Sequence, residues 1–207
     1  MFKPAQNQHY IALYKPFRVL SQFSMPEDSA KETLAIFDLP KNVYPVGRLD
    51  YDSEGLLLLS DDGRLNSFLL DPSHAHERTY WAQVENVPTP EDIRRLCNGV
   101  VIENKKTLPA HVEILDEEPV LPERNPPIRF RKNIPTTWLS LTLTEGRNRQ
   151  VRKMTAAINC PTLRLLRKAI GQLSIFDLEL EPGQWCDLSD EQLSWAFQKV
   201  HNLPSRA

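Results

Sequence analysis

The sequence predicts an α+β fold around a largely antiparallel sheet, and three observations carry that reading. Short segments alternating apolar and polar residues recur along the chain, without strict strand–helix–strand order. Turn-forming residues punctuate them closely, with 17 prolines and 7 glycines in 207 residues. The composition, 41% hydrophobic and 25% charged, is that of an ordinary globule long enough for one sizeable core.

The elements follow in order. His9–Lys15 alternates loosely and stops at Pro16, so it reads as a strand. Asp28 or Ser29 is suited to cap a short helix through Phe37, ended by Leu39-Pro40. Tyr44–Val46 leads into a turn at Gly47-Arg48, and Leu56–Ser60 reads as a buried strand. Asp61-Asp62-Gly63 is a turn that supplies a carboxylate cap for a helix over 64–70. Arg78–Val87, with Tyr80 and Trp81 on opposite faces, reads as a central strand. Thr89 caps the next helix, with Pro90 at its first position, Glu91 and Asp92 in the first turn and Gly99 at its end.

His111–Leu115 reads as a strand, and the proline- and charge-rich 116–135 as a loop. Trp138–Thr144 alternates cleanly, Gly146 turns the chain, and a helix is expected at about 148–158. Arg164–Lys168 and Gln172–Ile175 read as strands, and Ser189 caps a last helix through Lys199. The longest aliphatic run is Leu56–Leu59, so neither a membrane span nor a signal peptide is expected. Cys97, Cys160 and Cys186 are odd in number and widely spaced, as reduced thiols of a cytoplasmic protein are.

The net charge of −2 conceals a strong polarity. Residues 124–168 hold eleven Lys and Arg against one acid, Glu145, or +10, and the rest of the chain carries −12. A face of that sign suits phosphates, whereas solvated helix faces mix cations with acids.

Residues 46–63, VGRLDYDSEGLLLLSDDG, carry the sharpest chemical signal. Asp50 follows Gly47-Arg48 and stands at the mouth of an apolar strand, where an adjacent guanidinium offsets the cost of burying a carboxylate. A turn aspartate or cap is the plain alternative. A calcium loop beginning at Asp50 fails, because Glu54 and Asp61 occupy its fifth and twelfth positions and four leucines fill its second half. A glycosidase pair of Asp50 with Asp52 or Glu54 stays open. His74, His76 and Asp71 are surface-loop residues rather than a metal site. The second signal is 145–154, EGRNRQVRKM, with Arg147, Arg149, Arg152 and Lys153 at the entry to a helix.

GRLD (Gly47–Asp50), EGRNRQVRKM, LRLLRKAIGQLSI (Leu163–Ile175) and ERNPPIRFRKNIPTTW (Glu123–Trp138) together resemble the ribosomal RNA pseudouridine synthases over about 10–193. The resemblance implies that family's fold, two subdomains on one continuous sheet with the active cleft between them. It implies a single catalytic domain over 1–207, in a short member without the accessory N-terminal RNA-binding domain. It implies isomerisation of a flipped-out uridine in large-subunit (23S) ribosomal RNA or a precursor, by a cytoplasmic monomer with no cofactor, no metal and no membrane contact. Asp50 is the implied nucleophile, or the stabiliser of a glycal-type intermediate. Arg152 is its implied ion-pair partner, and Tyr80 the stacking aromatic. Arg48 is expected beside the extruded uridine, and Arg147, Arg149, Gln150 and Lys153 on the RNA.

Lys15-Pro16-Phe17-Arg18 resembles the family's Lys-Pro-x-Gly element, with arginine where glycine is usual. Arg129-Phe130-Arg131-Lys132 reads equally as a single-strand RNA contact or a solvated loop.

Overall fold

The computed structural model describes residues 2–25, 30–128 and 134–204. The Asp28/Ser29 cap and the Arg129–Lys132 cluster lie outside them. In chain order the elements are β1 (Tyr10–Lys15), β2 (Val19–Leu20), β3 (Glu32–Thr33), β4 (Tyr44–Pro45), β5 (Glu54–Ser60), α1 (Gly63–Leu70), β6 (Arg78–Glu85) and α2 (Pro90–Asn98). There follow β7 (Val101–Ile102), β8 (Lys105–Lys106), β9 (His111–Ile114), β10 (Thr136–Leu143), α3 (Gln150–Ala156), β11 (Thr162–Ile170), β12 (Leu173–Ser174), β13 (Trp185–Asp187) and α4 (Asp190–Trp195).

Nine of the described strands form one sheet, in the order β13-β1-β5-β11-β6-β10-β9, with β4 on β5 and β12 on β11. Every ladder in it is antiparallel except β5–β11, which runs parallel over Glu54–Leu166 and Gly55–Arg167. The predicted α+β class and the mixed, largely antiparallel sheet are what the chain forms.

The four leucines form a strand buried on both faces. Leu56 and Leu58 pack with Tyr10, Ala12, Tyr14 and α1, whereas Leu57 and Leu59 pack with Ile11, Leu13 and Leu34 on the other side. A strand covered on both faces needs a continuous apolar run rather than alternation. A third cluster fills the other half of the sheet, built on Ala82, Val84, Leu139, Leu141 and Leu165 with α2 and α3.

Caps set the helix starts as expected. Asp62 accepts from the Arg64 amide at 3.0 Å, and Thr89 with Asp92 and Ser189 with Gln192 form capping boxes. Tertiary contacts override the local pattern elsewhere. The expected helix up to Phe37 is a three-residue turn at Leu34–Ile36, because Glu32–Thr33 pairs with β2 and the Leu34 amide goes to the Gln22 carbonyl (2.9 Å). The last helix ends at Trp195, and the Glu77 carboxylate collects the amides of Val200, His201 and Leu203.

A buried ion pair links β5 to β11. Glu54 accepts two hydrogen bonds from Arg164, at 3.0 and 2.8 Å, and both side chains are buried. Arg164→Met would leave the carboxylate uncompensated and should cost about 3–5 kcal/mol in a urea melt, and Glu54→Leu added to it should recover most of the loss. An Arg164→Met protein within about 0.5 kcal/mol of wild type would refute this pairing.

His76, expected on a surface loop, is instead 6% exposed and sits among Phe68, His74 and Phe197. Burial, aided by the charges of Arg78, His74 and Lys199, pulls its pKa down to about 4. Below an unfolded pKa of about 6.5 the unfolded chain takes a proton that the native imidazole refuses. Its contribution is therefore complete above pH 6.5 and is lost as pH falls to 4, by up to about 3 kcal/mol. The stability difference between pH 7 and pH 4 should shrink in His76→Leu. An equal difference in both proteins would mean that other groups carry it.

Candidate active site

The three core clusters meet at a cleft of about 820 Å³, lined among others by Arg48, Asp50, Ser53, Arg78, Tyr80, Arg149 and Arg167. That volume is in the range of small-molecule sites and has room for a nucleoside.

The turn bearing Asp50 is held from both ends. Upstream, Gly47 takes a positive φ of 71° and its amide donates to Asn66 Oδ1 (3.3 Å). Ser21 clamps Leu49, its hydroxyl donating to the Leu49 carbonyl (2.9 Å) and accepting from the Leu49 amide (3.1 Å). Downstream, the Ser53 amide donates to the Asp50 carbonyl (3.1 Å) and closes the turn into β5. Arg18, at φ 63°, donates its amide to the Tyr51 carbonyl (2.8 Å). The arginine therefore adopts the left-handed conformation that glycine reaches freely, at a cost of roughly 1–2 kcal/mol. The preceding Lys15 is fully buried and donates to the carbonyls of Pro16 (2.8 Å) and Val19 (2.7 Å). Burial draws its pKa down to about 7 although the Glu54, Asp52 and Asp50 charges oppose this.

Among the described residues, the Asp50 carboxylate accepts no hydrogen bond, and Arg149 Nη1 at 3.8 Å is the one cation within 4.0 Å. Its side chain is 31% exposed, so it is half-buried at the cleft wall and not sealed in the core. Asp52 carries the ion pairing instead. Arg149 grips it with two bonds of 2.7 Å, and Arg152 approaches with Nε at 3.4 Å while donating Nη2 to the Asp52 carbonyl at 2.6 Å. Burial alone would raise the Asp52 pKa, but the Arg149 hydrogen bonds and both guanidinium charges hold it below the usual carboxylate value.

Two expectations change accordingly. Arg152 pairs with Asp52 and the Thr162 carbonyl (3.1 Å) rather than with Asp50. Arg48 is exposed and donates to Gln22 Oε1 (3.1 Å), so it is not the counter-ion of Asp50, although it does line the cleft. The turn directs consecutive side chains apart, and spacing along the chain does not reveal that. A glycosidase pairing of Asp50 is also disfavoured, since Asp52 and Glu54 are both chelated by arginine.

Tyr80 lines the cleft from the sheet floor, between its cross-strand partners Leu141 and Arg167. Trp81 points the other way, against Phe176 and Lys168. Gln150 is buried, with Nε2 donating to Glu145 (2.7 Å) and Oε1 accepting from the Arg147 amide (2.9 Å). It is a strut of the loop and not an open ligand group. Arg147 donates to the carbonyls of Lys105 and Ile102, and Lys153 pairs with Glu103 at 2.6 Å. Both thus brace α3 against β7–β8, with Arg147 also at the cleft and Lys153 outside it. The helix opens only at Gln150 because Arg149 sits in the left-handed region at φ 50°.

Sequence reasoning missed Arg78 and Arg167 as floor residues. The signal available was a cation inside an apolar strand, at Arg167 in LRLLRKAI and at Arg78 ahead of Tyr80. Among the described residues no cluster of three or more His, Cys, Asp or Glu is arranged to hold a metal, and no helix is long and apolar enough to cross a membrane.

The Asp52 anchor yields a direct test. Asp52→Asn keeps the shape but removes the charge between two guanidiniums, and should cost about 2 kcal/mol at pH 7 in a urea melt. A loss below about 0.5 kcal/mol would show that the carboxylate does not hold them.

With this geometry in hand, similarity to known proteins becomes informative. The family model described as RNA pseudouridylate synthase matches residues 9–157. A protein of Xanthomonas campestris pv. campestris named ribosomal large subunit pseudouridine synthase E is 53% identical over 175 residues, covering 84% of this chain and 92% of that one. One of the same name from Vibrio parahaemolyticus is 49% identical over 183 residues, covering 88% and 75%. A solved structure described as a pseudouridylate synthase superposes with a TM-score of 0.73 at 28% identity, covering 93% of this chain and 75% of that one. A carboxylate poised over a nucleoside-sized cleft, a floor tyrosine and this breadth of similarity agree, and the chain belongs to the RNA pseudouridylate synthase family.

Proposed function

We propose that this protein converts uridine to pseudouridine at a site in large-subunit (23S) ribosomal RNA, or in a precursor of it, with Asp50 as the reacting group. The observation that carries the reading is the state of its carboxylates. Of Asp50, Asp52 and Glu54, only Asp50 has no chelating arginine, and it borders the cleft that Tyr80 floors.

The roles follow from that arrangement. A base inside a stem does not expose C1′, so the nucleotide must leave its stack. Arg48, exposed at the rim, is suited to fill the vacated position. The extruded base stacks on Tyr80, and Asp50 meets C1′, either bonding to it or assisting a glycal-type intermediate while the base turns from N1 to C5. Arg149 sets a cation 3.8 Å from the Asp50 carboxylate, and Arg152 acts through Asp52 by fixing Arg149. The cations of 124–168 take the phosphates. The relatives named for the large ribosomal subunit support the choice of RNA. Work on ribosomal RNA by one catalytic domain, as a monomer in the cytoplasm, completes the reading.

Asp50→Asn should reduce turnover by at least 10³-fold with RNA affinity unchanged. Carbodiimide treatment followed by primer extension on large-subunit RNA reads the product. One new stop with wild type and none with Asp50→Asn is expected. Residual activity above a few per cent, or tight binding by wild type with no stop on naked RNA or ribosomal precursors, would overturn the assignment.

A further inference from the structure

We infer that Arg167 receives the uracil ring: its guanidinium faces a ring carbonyl oxygen and holds the negative charge on the base once the C1′–N1 bond has broken. The inference rests on the function proposed above and names a residue that it leaves unassigned.

Arg167 is 3% exposed, yet it lines the cleft. Its Nε donates to the Leu56 carbonyl at 2.7 Å, which fixes the guanidinium plane. Its Nη2 is buried and has no hydrogen-bond partner among the described residues. The protein therefore leaves this guanidinium incompletely paired, and because arginine only donates, what the cleft side of the group can take is an acceptor.

The other cations at the cleft differ in this respect. Arg149 and Arg152 share Asp52, and Arg78 donates to the carbonyls of His76 (3.3 Å) and Leu69 (2.8 Å). Arg167 has no carboxylate within 4.0 Å among the described residues, so its charge is not spent on the protein.

Position selects the base over the phosphate. Arg167 and Tyr80 are register partners on adjacent antiparallel strands, so their side chains share one face of the sheet. A base stacked on Tyr80 therefore turns its edge toward Arg167. Phosphates of the flipped nucleotide stay at the rim, where Arg149 is exposed.

The chemistry needs such a group. The C1′–N1 bond breaks with its electron pair on the ring, and the sugar stays at Asp50. C5 then forms the new bond to C1′, and the proton that C5 sheds returns to N1, so nothing is consumed. Between those steps the ring is an anion with charge on its carbonyl oxygens. A fixed, water-excluded donor stabilises charge that develops there, typically by 10²–10³ in rate.

Leaving-group sensitivity tests the assignment, since a merely structural residue would not alter it. Target RNA carrying either uridine or 5-fluorouridine at the modified position is reacted under single-turnover conditions, and loss of the starting nucleoside is followed by chromatography. The fluorinated ring has no C5 proton to shed, so the reading for it is detachment from N1 and not formation of pseudouridine. Fluorine at C5 spreads the charge of the detached ring and should substitute in part for the missing cation. Arg167→Gln should bind RNA within about twofold of wild type and convert uridine about 100-fold more slowly. Its deficit should narrow to about tenfold on 5-fluorouridine.

Arg167→Lys keeps the charge and covers the case in which the glutamine variant is unstable; its ratio of the two rates should stay within about threefold of wild type. Equal deficits on both substrates, or a loss explained by RNA affinity, would overturn the role of Arg167 alone. Wild type that makes no pseudouridine, or an active Asp50→Asn, would remove the proposed function and this assignment with it.

Discussion

The two halves of the sheet are joined by a parallel contact only two residue pairs long, Glu54 beside Leu166 and Gly55 beside Arg167, and the cleft exists because of it. Gly55 has φ 102°, and a Cβ there would lie 2.4 Å from the Arg167 carbonyl oxygen. No other residue fits that approach without moving β5 or β11. The same short stretch holds the halves electrostatically. Glu54 grips Arg164, the Leu56 carbonyl takes Arg167 Nε, and Asp52 takes Arg149 and Arg152. Residues 52–56 are thus bound to residues 149–167 by a backbone fit and four guanidiniums.

That arrangement explains how one aspartate stays available among so many cations. A carboxylate facing several arginines is ordinarily chelated, because bidentate pairing is the strongest local option. Here Asp52 absorbs Arg149 and Arg152, Glu54 absorbs Arg164, and Asp50 keeps a longer 3.8 Å relation to Arg149. The strain carried by Arg18 and Arg149, both in the left-handed region, lies on the two loops that frame Asp50. Unfavourable backbone conformations of this kind persist where surrounding contacts over-determine them, and the clamp of Ser21 on Leu49 and the chelate on Asp52 supply those contacts.

The floor of the cleft is built on a different rule. Antiparallel register sets Leu141, Tyr80 and Arg167 side by side on one face, and Trp81 on the other. A ring and a guanidinium on adjacent strands make a surface that is flat, dry and cationic. Arg48 and Arg149 above it are exposed to solvent, so the cleft is graded from a hydrated rim to a buried floor. Charge on the floor acts more strongly than charge at the rim, since little water screens it.

Local pattern alone determined much of this chain. Capping residues located α1, α2 and the start of α4, the four-leucine run marked the central strand, and Val46–Gly63 with Glu145–Met154 marked the two segments that meet at the site. These signals are local: a cap or a buried strand is dictated by residues within a few positions of it. Only the tertiary structure decided that Asp52, not Asp50, takes Arg152, that Gln150 is a strut, and that Arg167 lines the cleft without a carboxylate partner among the described residues. The first and last of those outcomes depend on groups a hundred or more residues apart, and the second on which way the Gln150 side chain turns within its own loop. The free energy of a guanidinium choosing between two nearby carboxylates is set by distance and burial in three dimensions, and neither is written in the order of the residues.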